Sequence, residues 1–404
     1  MNPKKHILIV CDGLGDLPVP ELANQTPLEA ANTPNLDNLA KNGITGLMRV
    51  LGQGIRPNSD EAHLALLGYD WKNDYPGRGP IEAAGVGVIL EDGDVAIRGN
   101  LATVDSGLRV IDRRAGRIDD TTVFVKDFDG MEIDGIKFIV KPGTGHRIII
   151  VMRGRGLSDK ITNSDVHYVT EDNVVENWEG NKVNVISPRD DSSEAKFTAG
   201  VLQKFLEKTH QILEKNPLNT QLELKGNYIL TRGSGYYKKL TSFAEKWGTR
   251  ACCIAGAGLY KGLGAITGMD LLETAGATGQ PDTDVLAKIK RAKEALAGYN
   301  FVFVHIKATD IFGENGDFFG KRNFIERIDM TVKELIDTDA VIAVTADHST
   351  PCSHKDHSAD PVPVLIYSKD IQSDGTEKFG ERYCKSGSLG IIEGKDFMRL
   401  FLNY

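Results

Sequence analysis

The sequence predicts an α/β protein: a mostly parallel sheet flanked by helices, with a second, α+β domain inserted into it. Three observations carry this reading. Apolar, β-branched runs at Ile7–Cys11, Phe301–Ile306 and Ala340–Thr345 read as strands buried on both faces. A helical pattern over Asn323–Ile336, apolar at Phe324, Ile325, Ile328, Val332, Leu335 and Ile336, separates the last two. Strand, helix and strand in this rhythm build parallel sheet. From about Glu91 to Leu240 the rhythm changes to short alternating strands among polar loops. Residues 1–90 and 241–404 are therefore expected to form one discontinuous core, and 91–240 the insert.

The elements follow in order. Ile7–Cys11 stops at Asp12-Gly13. Thr33–Gly43 reads as a helix with Thr33 as its cap, Pro34 at its first position and Gly43 as its stop. Ser59–Gly68 reads as a second helix, capped by Ser59 and apolar at Leu64, Leu66 and Leu67. In the insert, Gly107–Ile111, Lys137–Val140 and Arg147–Met152 read as strands, and Glu194–Lys215 as one long helix. Val362–Tyr367, after His357, is a further buried strand. No internal repeat or low-complexity tract interrupts the chain.

Composition narrows the function. With 404 residues, 41% hydrophobic and 26% charged, the chain can bury a sizeable core. Its net charge of −8, without a basic run, argues against nucleic acid and against an anionic membrane surface. Cys11, Cys252, Cys253, Cys352 and Cys384 are odd in number and lack metal-site spacing, so they read as reduced thiols in a cytoplasmic protein. The N-terminal MNPKKHILIVCDG falls short of a signal peptide, and no run is long enough for a membrane helix. Oligomeric state leaves no trace here.

Asp12, Asp310 and Asp347 each stand at or just beyond the end of an apolar strand. In a parallel sheet these ends share one edge, where ligands bind. Singly, such an aspartate is a turn or cap residue; three together repel and call for divalent cations, with His348 and His357 nearby as nitrogen ligands. Ser59 reads either as a helix cap alone or also as a nucleophile, because a helix N-terminus stabilises an alkoxide and then a phosphate, and an adjacent cation eases ionisation. Arg98, Arg109, Arg113, Arg114, Arg117 and Arg147 concentrate positive charge in the insert. They suit bidentate capture of a carboxylate or phosphate, or else form a solvated, salt-bridged face.

Taken together, the motifs resemble those of the archaeal-type cofactor-independent phosphoglycerate mutases of the alkaline phosphatase superfamily. The pieces are DGLGD (12–16), TPLEAANTPNLDNLA (26–40), SDEAHLALLGYD (59–70), GRGPIEAAGVGV (77–88), DRRAGR (112–117), GHR (145–147), GATG (276–279) and TADHSTPCSHKDHSADPVPVLI (345–366). The resemblance implies an alkaline-phosphatase-like core with an inserted transferase domain, and two divalent cations (Mn, Mg, Co or Zn) without 2,3-bisphosphoglycerate. One cation would be held by Asp12, Ser59, Asp347 and His348; the other by Asp310, His357 and the residue four after Asp310. Ser59 would take the phosphoryl group from 3-phosphoglycerate, a small phosphorylated hydroxy acid, and return it to the other hydroxyl. Arg98, Arg113, Arg114, Arg117, His146 and Arg147 would hold the glycerate, with Asp165 and His167 moving protons and Lys261 neutralising charge.

The chain departs from this pattern in three places. The residue four after Asp310 is Glu314, where the pattern has histidine; an oxygen ligand there favours harder cations. Ser164-Asp165-Val166-His167 replaces Ser-Asp-Pro-His and runs into Tyr168-Val169-Thr170, and the stretch 217–227 is shortened and lacks the expected arginines. These changes leave room for an alternative, a metal-dependent phosphatase or phosphotransferase acting on another small phosphorylated substrate.

Overall fold

The computed structural model describes residues 4–168 and 177–404. The chain divides into two compact units, one formed by the residues up to Tyr75 with Leu240–Tyr404, the other by Pro76–Lys239. The second unit begins before residue 91 because the helix Arg78–Gly85 packs on that unit's own sheet. Gly79 lies so close to the strand Val95–Val104 that a Cβ there would meet Ala96 O at 2.1 Å.

The first unit is built on a mixed sheet. Among the described residues its strand order is Asp270–Leu271, Ala251–Ile254, Phe301–Ile306, Lys5–Cys11, Ala340–Thr345, Val362–Tyr367, Ile44–Arg49 and Gly390–Glu393. The first five run parallel, with Ile9 beside Val304 on one side and Val344 on the other. Val362–Tyr367 is antiparallel to both its neighbours. The central strands are buried along their length, which explains why they read as continuous apolar runs rather than alternating ones.

Helix ends differ from the sequence reading. In the helix Pro34–Lys41 Thr33 holds the cap position, but its side chain makes no capping bond; its hydroxyl donates to Asp37 at 3.3 Å instead. Asn42 ends that helix; a Cβ on Gly43 would meet Ile366 O at 2.5 Å, so close approach of the sheet requires the glycine. The helix Ser59–Leu66 is capped by Asn58, whose carbonyl accepts from Ala62 N at 2.9 Å, so Ser59 is the first helical residue and not the cap. The late helix starts at Phe318, earlier than read, because Asp317 accepts from Gly320 N.

In the second unit the long strand Val95–Val104, missed in the sequence, is the centre of an antiparallel sheet. It pairs with Arg147–Arg153 along one side and Tyr228–Tyr236 along the other, and at its end with Val110–Asp112. The strand expected from Gly107 begins only at Val110, because Asp105 accepts from Gly107 N and Arg109 N and holds a turn there. Ser193–Glu214 is the long helix; its Phe205 stacks on Phe138 of the strand Ile136–Pro142 at 4.1 Å in the core.

Candidate active site

Because Lys5–Cys11, Phe301–Ile306 and Ala340–Thr345 are adjacent and parallel, the residues just beyond them share one sheet edge. There Asp12, Asp347 and His348 bring one donor atom each within 4.8 Å of one another, and Asp310, His348 and His357 form a second such group. Gly13 makes the turn possible: at φ +61° it donates its N–H to Asp347 Oδ1 at 3.1 Å, and a Cβ would strike Thr350 and Asp310.

The histidines present their Nε2 atoms to these groups. His357 Nδ1 lies 2.9 Å from Pro57 O, an acceptor only, so it carries the proton and leaves Nε2, 3.5 Å from Asp310 Oδ1, with a lone pair. Thr350 Oγ1 donates to Asp310 Oδ1 at 2.6 Å and accepts from His348 Nδ1 at 3.0 Å. His348 Nε2 is thereby turned towards Asp347 Oδ2 at 3.2 Å, Asp12 Oδ1 at 3.4 Å and Ser59 Oγ at 3.1 Å. Backbone and hydroxyl partners of this kind orient metal-binding imidazoles.

The charges are unbalanced. Burial opposes ionisation of Asp12, yet Lys307, His305 and His348 outweigh it and hold its carboxyl well below the usual range. Burial and the charge of Asp12 push Asp347 well above it. Burial, with His357 beside it, lowers His348 to about 3. Asp347 Oδ2 is buried without a hydrogen-bond partner. This orphaned acceptor lies 3.2 Å from His348 Nε2, and together the two groups offer three carboxylates and two imidazoles, a donor set that divalent cations fit; such cations would let all three aspartates ionise.

Other expected residues fall differently. Glu314 ends the helix Ala308–Glu314 and is outside both groups; burial and Asp310 raise its carboxyl pKa. Lys261 is paired with Glu273 at 2.8 and 2.9 Å. The lysine that meets the aspartates is Lys307, which sequence reasoning did not single out: Nζ is 2.5 Å from Asp310 Oδ2 and 3.3 Å from Asp12 Oδ1. Also missed were Tyr260 and His305, both on Asp12, and His63, whose Nδ1 donates to Ser59 O at 2.6 Å. The available signal was His305 inside an otherwise apolar strand, followed two residues later by Lys307.

The second unit gathers the arginines. Arg113 and Asp165 form a two-point pair, Nε–Oδ1 2.9 Å and Nη2–Oδ2 2.6 Å. The same guanidinium lies over Tyr168 and Trp178. His167 donates its N–H to Asp165 Oδ1 at 3.2 Å and packs edge-on to Tyr168. Glu82 accepts Arg78 Nε at 3.1 Å and faces Arg98 Nε at 3.0 Å. Burial lowers Arg147, whose charge is felt by Glu82 and opposed by Arg98, Arg78 and Arg114. Burial, then Arg147, Arg114 and Arg232, lower His146 to about 4. The cluster thus concentrates positive charge around Glu82. Arg114 and Arg117 are exposed, Arg117 in a left-handed turn at φ 62°. Val169 and Thr170, part of the altered loop, lie outside the described residues. The shortened stretch opens on a 3-10 turn, Pro217–Thr220, where Asn219 is tied to Leu213 O and Gly226 N.

The Metalloenzyme superfamily profile matches residues 4–404. The chain is 44% identical to "2,3-bisphosphoglycerate-independent phosphoglycerate mutase 1" of Archaeoglobus fulgidus, over 98% of this chain and 97% of that protein. It is 44% identical to the "2,3-bisphosphoglycerate-independent phosphoglycerate mutase" of Methanosphaera stadtmanae, over 98% and 96%. Among solved structures it is similar to the cofactor-independent phosphoglycerate mutase of Thermoplasma acidophilum, with a TM-score of 0.74, 35% identity and 99% of each chain covered.

Proposed function

The chain belongs to the metalloenzyme superfamily and, within it, to the 2,3-bisphosphoglycerate-independent phosphoglycerate mutases, and on that premise we propose that it interconverts 3-phosphoglycerate and 2-phosphoglycerate through phosphorylated Ser59. The enzyme is an isomerase of glycolysis and gluconeogenesis. The observation that carries the reading is Ser59 Oγ, 3.1 Å from His348 Nε2, at the first position of a helix and against the Asp12–Asp347–His348 group.

Asp12, Asp347 and His348, with Ser59, would hold one divalent cation; Asp310 and His357, with Glu314 as a further oxygen donor, would hold the other. When bound, such cations make the serine hydroxyl more acidic and balance charge on phosphoryl oxygens. Ser59 Oγ forms a bond to phosphorus as the bond from phosphorus to the substrate's 3-oxygen breaks, and the proton that Oγ gives up ends on that 3-oxygen. The glycerate 2-hydroxyl then attacks phosphorus, the bond from phosphorus to Ser59 Oγ breaks, and the proton of the 2-hydroxyl ends on Oγ. As the first residue of its helix, Ser59 stands at the positive end of the helix dipole, which favours the negative charge that develops there. Lys307 adds a fixed positive charge beside Asp12 and Asp310. In the second unit the guanidinium cluster around Glu82 suits the glycerate carboxylate, and the Arg113–Asp165 pair fixes the loop that carries His167. Phosphoryl transfer needs this positioning and neutralisation more than it needs covalent help.

The net charge of −8, with five buried, unpaired cysteines, supports a cytoplasmic enzyme of a small anion rather than a nucleic-acid or membrane protein. No helix among the described residues is long and apolar enough to cross a membrane. The test is turnover of 3-phosphoglycerate coupled to enolase, using chelator-stripped protein resupplied separately with Mn2+, Mg2+, Co2+ or Zn2+. Metal-dependent 2-phosphoglycerate, lost in Ser59→Ala by more than about a thousandfold, is the expected result. No product with any metal, or release of free phosphate instead, would overturn it.

A further inference from the structure

The two oxygens of Asp12 have different partners, and Oδ2 is the one held by Tyr260 and His305. Tyr260, from the helix Gly258–Ile266, donates its hydroxyl to Oδ2, and His305 Nε2 lies 3.0 Å from the same atom. The two rings stack at 3.4 Å and 18°, so each fixes the other's aim. Both are buried, His305 fully and Tyr260 to within 2%. His305 Nδ1 is buried without a hydrogen-bond partner, which settles the tautomer: the ring is neutral and its one proton sits on Nε2, facing Asp12. The other oxygen, Oδ1, faces His348 Nε2 at 3.4 Å and Lys307 Nζ at 3.3 Å.

We infer that Tyr260 and His305 are positioning residues that make Asp12 a one-oxygen ligand, and that this selects small divalent cations over Ca2+. The inference rests on the reading of Asp12 as a metal ligand. With Oδ2 committed to Tyr260 and His305, the oxygen left to a cation is Oδ1, on the side of His348, where Lys307 would give way to it. Ca2+ takes 6–8 oxygen ligands and draws on two-oxygen carboxylates to reach that number, whereas Mg2+ and the transition metals need fewer. A carboxylate pinned in this way withholds a ligand that Ca2+ needs. Neither aromatic residue was selected for chemistry by the sequence, and His305 belongs to neither donor group.

The test is calorimetric titration of chelator-stripped protein with Mn2+ and, separately, Ca2+. Wild type is compared with Tyr260→Phe, which keeps the stacked ring, and with His305→Leu and His305→Gln, the last of which keeps an N–H directed like Nε2. Tyr260→Phe and His305→Leu are expected to weaken Mn2+ binding by roughly 10–100-fold, the usual effect of removing an outer-sphere partner. They should narrow the preference for Mn2+ over Ca2+ by at least roughly tenfold, with His305→Gln retaining most of it. Unchanged constants in Tyr260→Phe, or equal losses for both cations, would overturn the inference; equal losses are what simple loosening of the fold produces. Should Tyr260→Phe fail to fold, the two His305 variants decide. Binding is read without turnover, so the expected selectivity in a protein that makes no 2-phosphoglycerate supports this inference and sinks the mutase reading. A wild type that binds neither cation sinks both.

Discussion

Arg113 and Asp165 clasp each other at two points while Asp165 is wholly buried. The sequence had cast one as a substrate ligand and the other as a proton carrier. Their geometry makes the pair a fastening first: it ties the Asp112–Arg117 bend to the Ser164–His167 loop. Removing one partner of a buried pair strands the other's charge and costs about 3–5 kcal/mol. Arg113→Ala is expected to destabilise the second unit by about that much in denaturant melts. Arg113→Lys should recover only part of the loss, because an ammonium cannot make the two-point contact. A change under about 1 kcal/mol in Arg113→Ala would show that the pair is not a fastening.

Stability should fall with rising pH through Glu381. Its carboxylate accepts from Asp16 N at 3.1 Å and from Thr26 Oγ1 at 2.6 Å, but burial, with Glu29 nearby, raises it from 4.5 to about 7. A group with a raised folded value contributes stability fully below its unfolded value and loses it as pH climbs through the folded one. The loss therefore spans about pH 4.5 to 7 and amounts to at most about 3 kcal/mol. Glu381→Gln, neutral throughout, should flatten this part of the melting-temperature profile. Parallel wild-type and variant profiles from pH 4.5 to 8 would refute the assignment.

The parts legible in the sequence were those where one physical constraint dominates. Strands buried on both faces announce themselves as apolar runs, so Ile7–Cys11, Phe301–Ile306 and Ala340–Thr345, and with them the sheet edge carrying Asp12, Asp310 and Asp347, could be found by reading alone. The Val95–Val104 strand could not: it contains Arg98, Gly99 and Asn100, and only tertiary pairing on both sides buries them. Ser59 was misjudged as a cap because Asn58 and Ser59 are both good capping residues, and sequence cannot say which carbonyl starts the ladder. Tyr260 was missed for a different reason: it reaches the site by side-chain direction, and no spacing in the chain encodes that.

Glu82 should matter to every arginine around it. Its carboxylate lies between Arg78 and Arg98, and despite burial their charges, with that of Arg147, keep its pKa below the usual value. Glu82→Gln removes the buried counter-charge and leaves the guanidinium groups to repel one another. The expected outcome is a loss of about 3 kcal/mol in the stability of the second unit and a raised KM for 3-phosphoglycerate with a smaller change in kcat. Glu82→Asp, which keeps the charge but shortens the reach, should fall between. An unchanged KM in Glu82→Gln would separate Glu82 from substrate binding.

Removing the metal should loosen the first unit in a way that Asp347 controls. Without a cation, Asp12 and Asp310 share Lys307, and burial with the charge of Asp12 disfavours ionisation of Asp347. Adding Mn2+ at about 100 times its dissociation constant stabilises the folded state by about 2.7 kcal/mol through binding alone. For a unit of this size that corresponds to a rise of roughly 5–10 °C in melting temperature over the chelated protein. Asp347→Asn mimics the protonated carboxyl, so its chelated form should melt close to chelated wild type. The Mn2+-induced rise should be lost, because an amide cannot supply the charge that the cation site requires. A variant that still gains the full rise on adding Mn2+ would remove Asp347 from the ligand set.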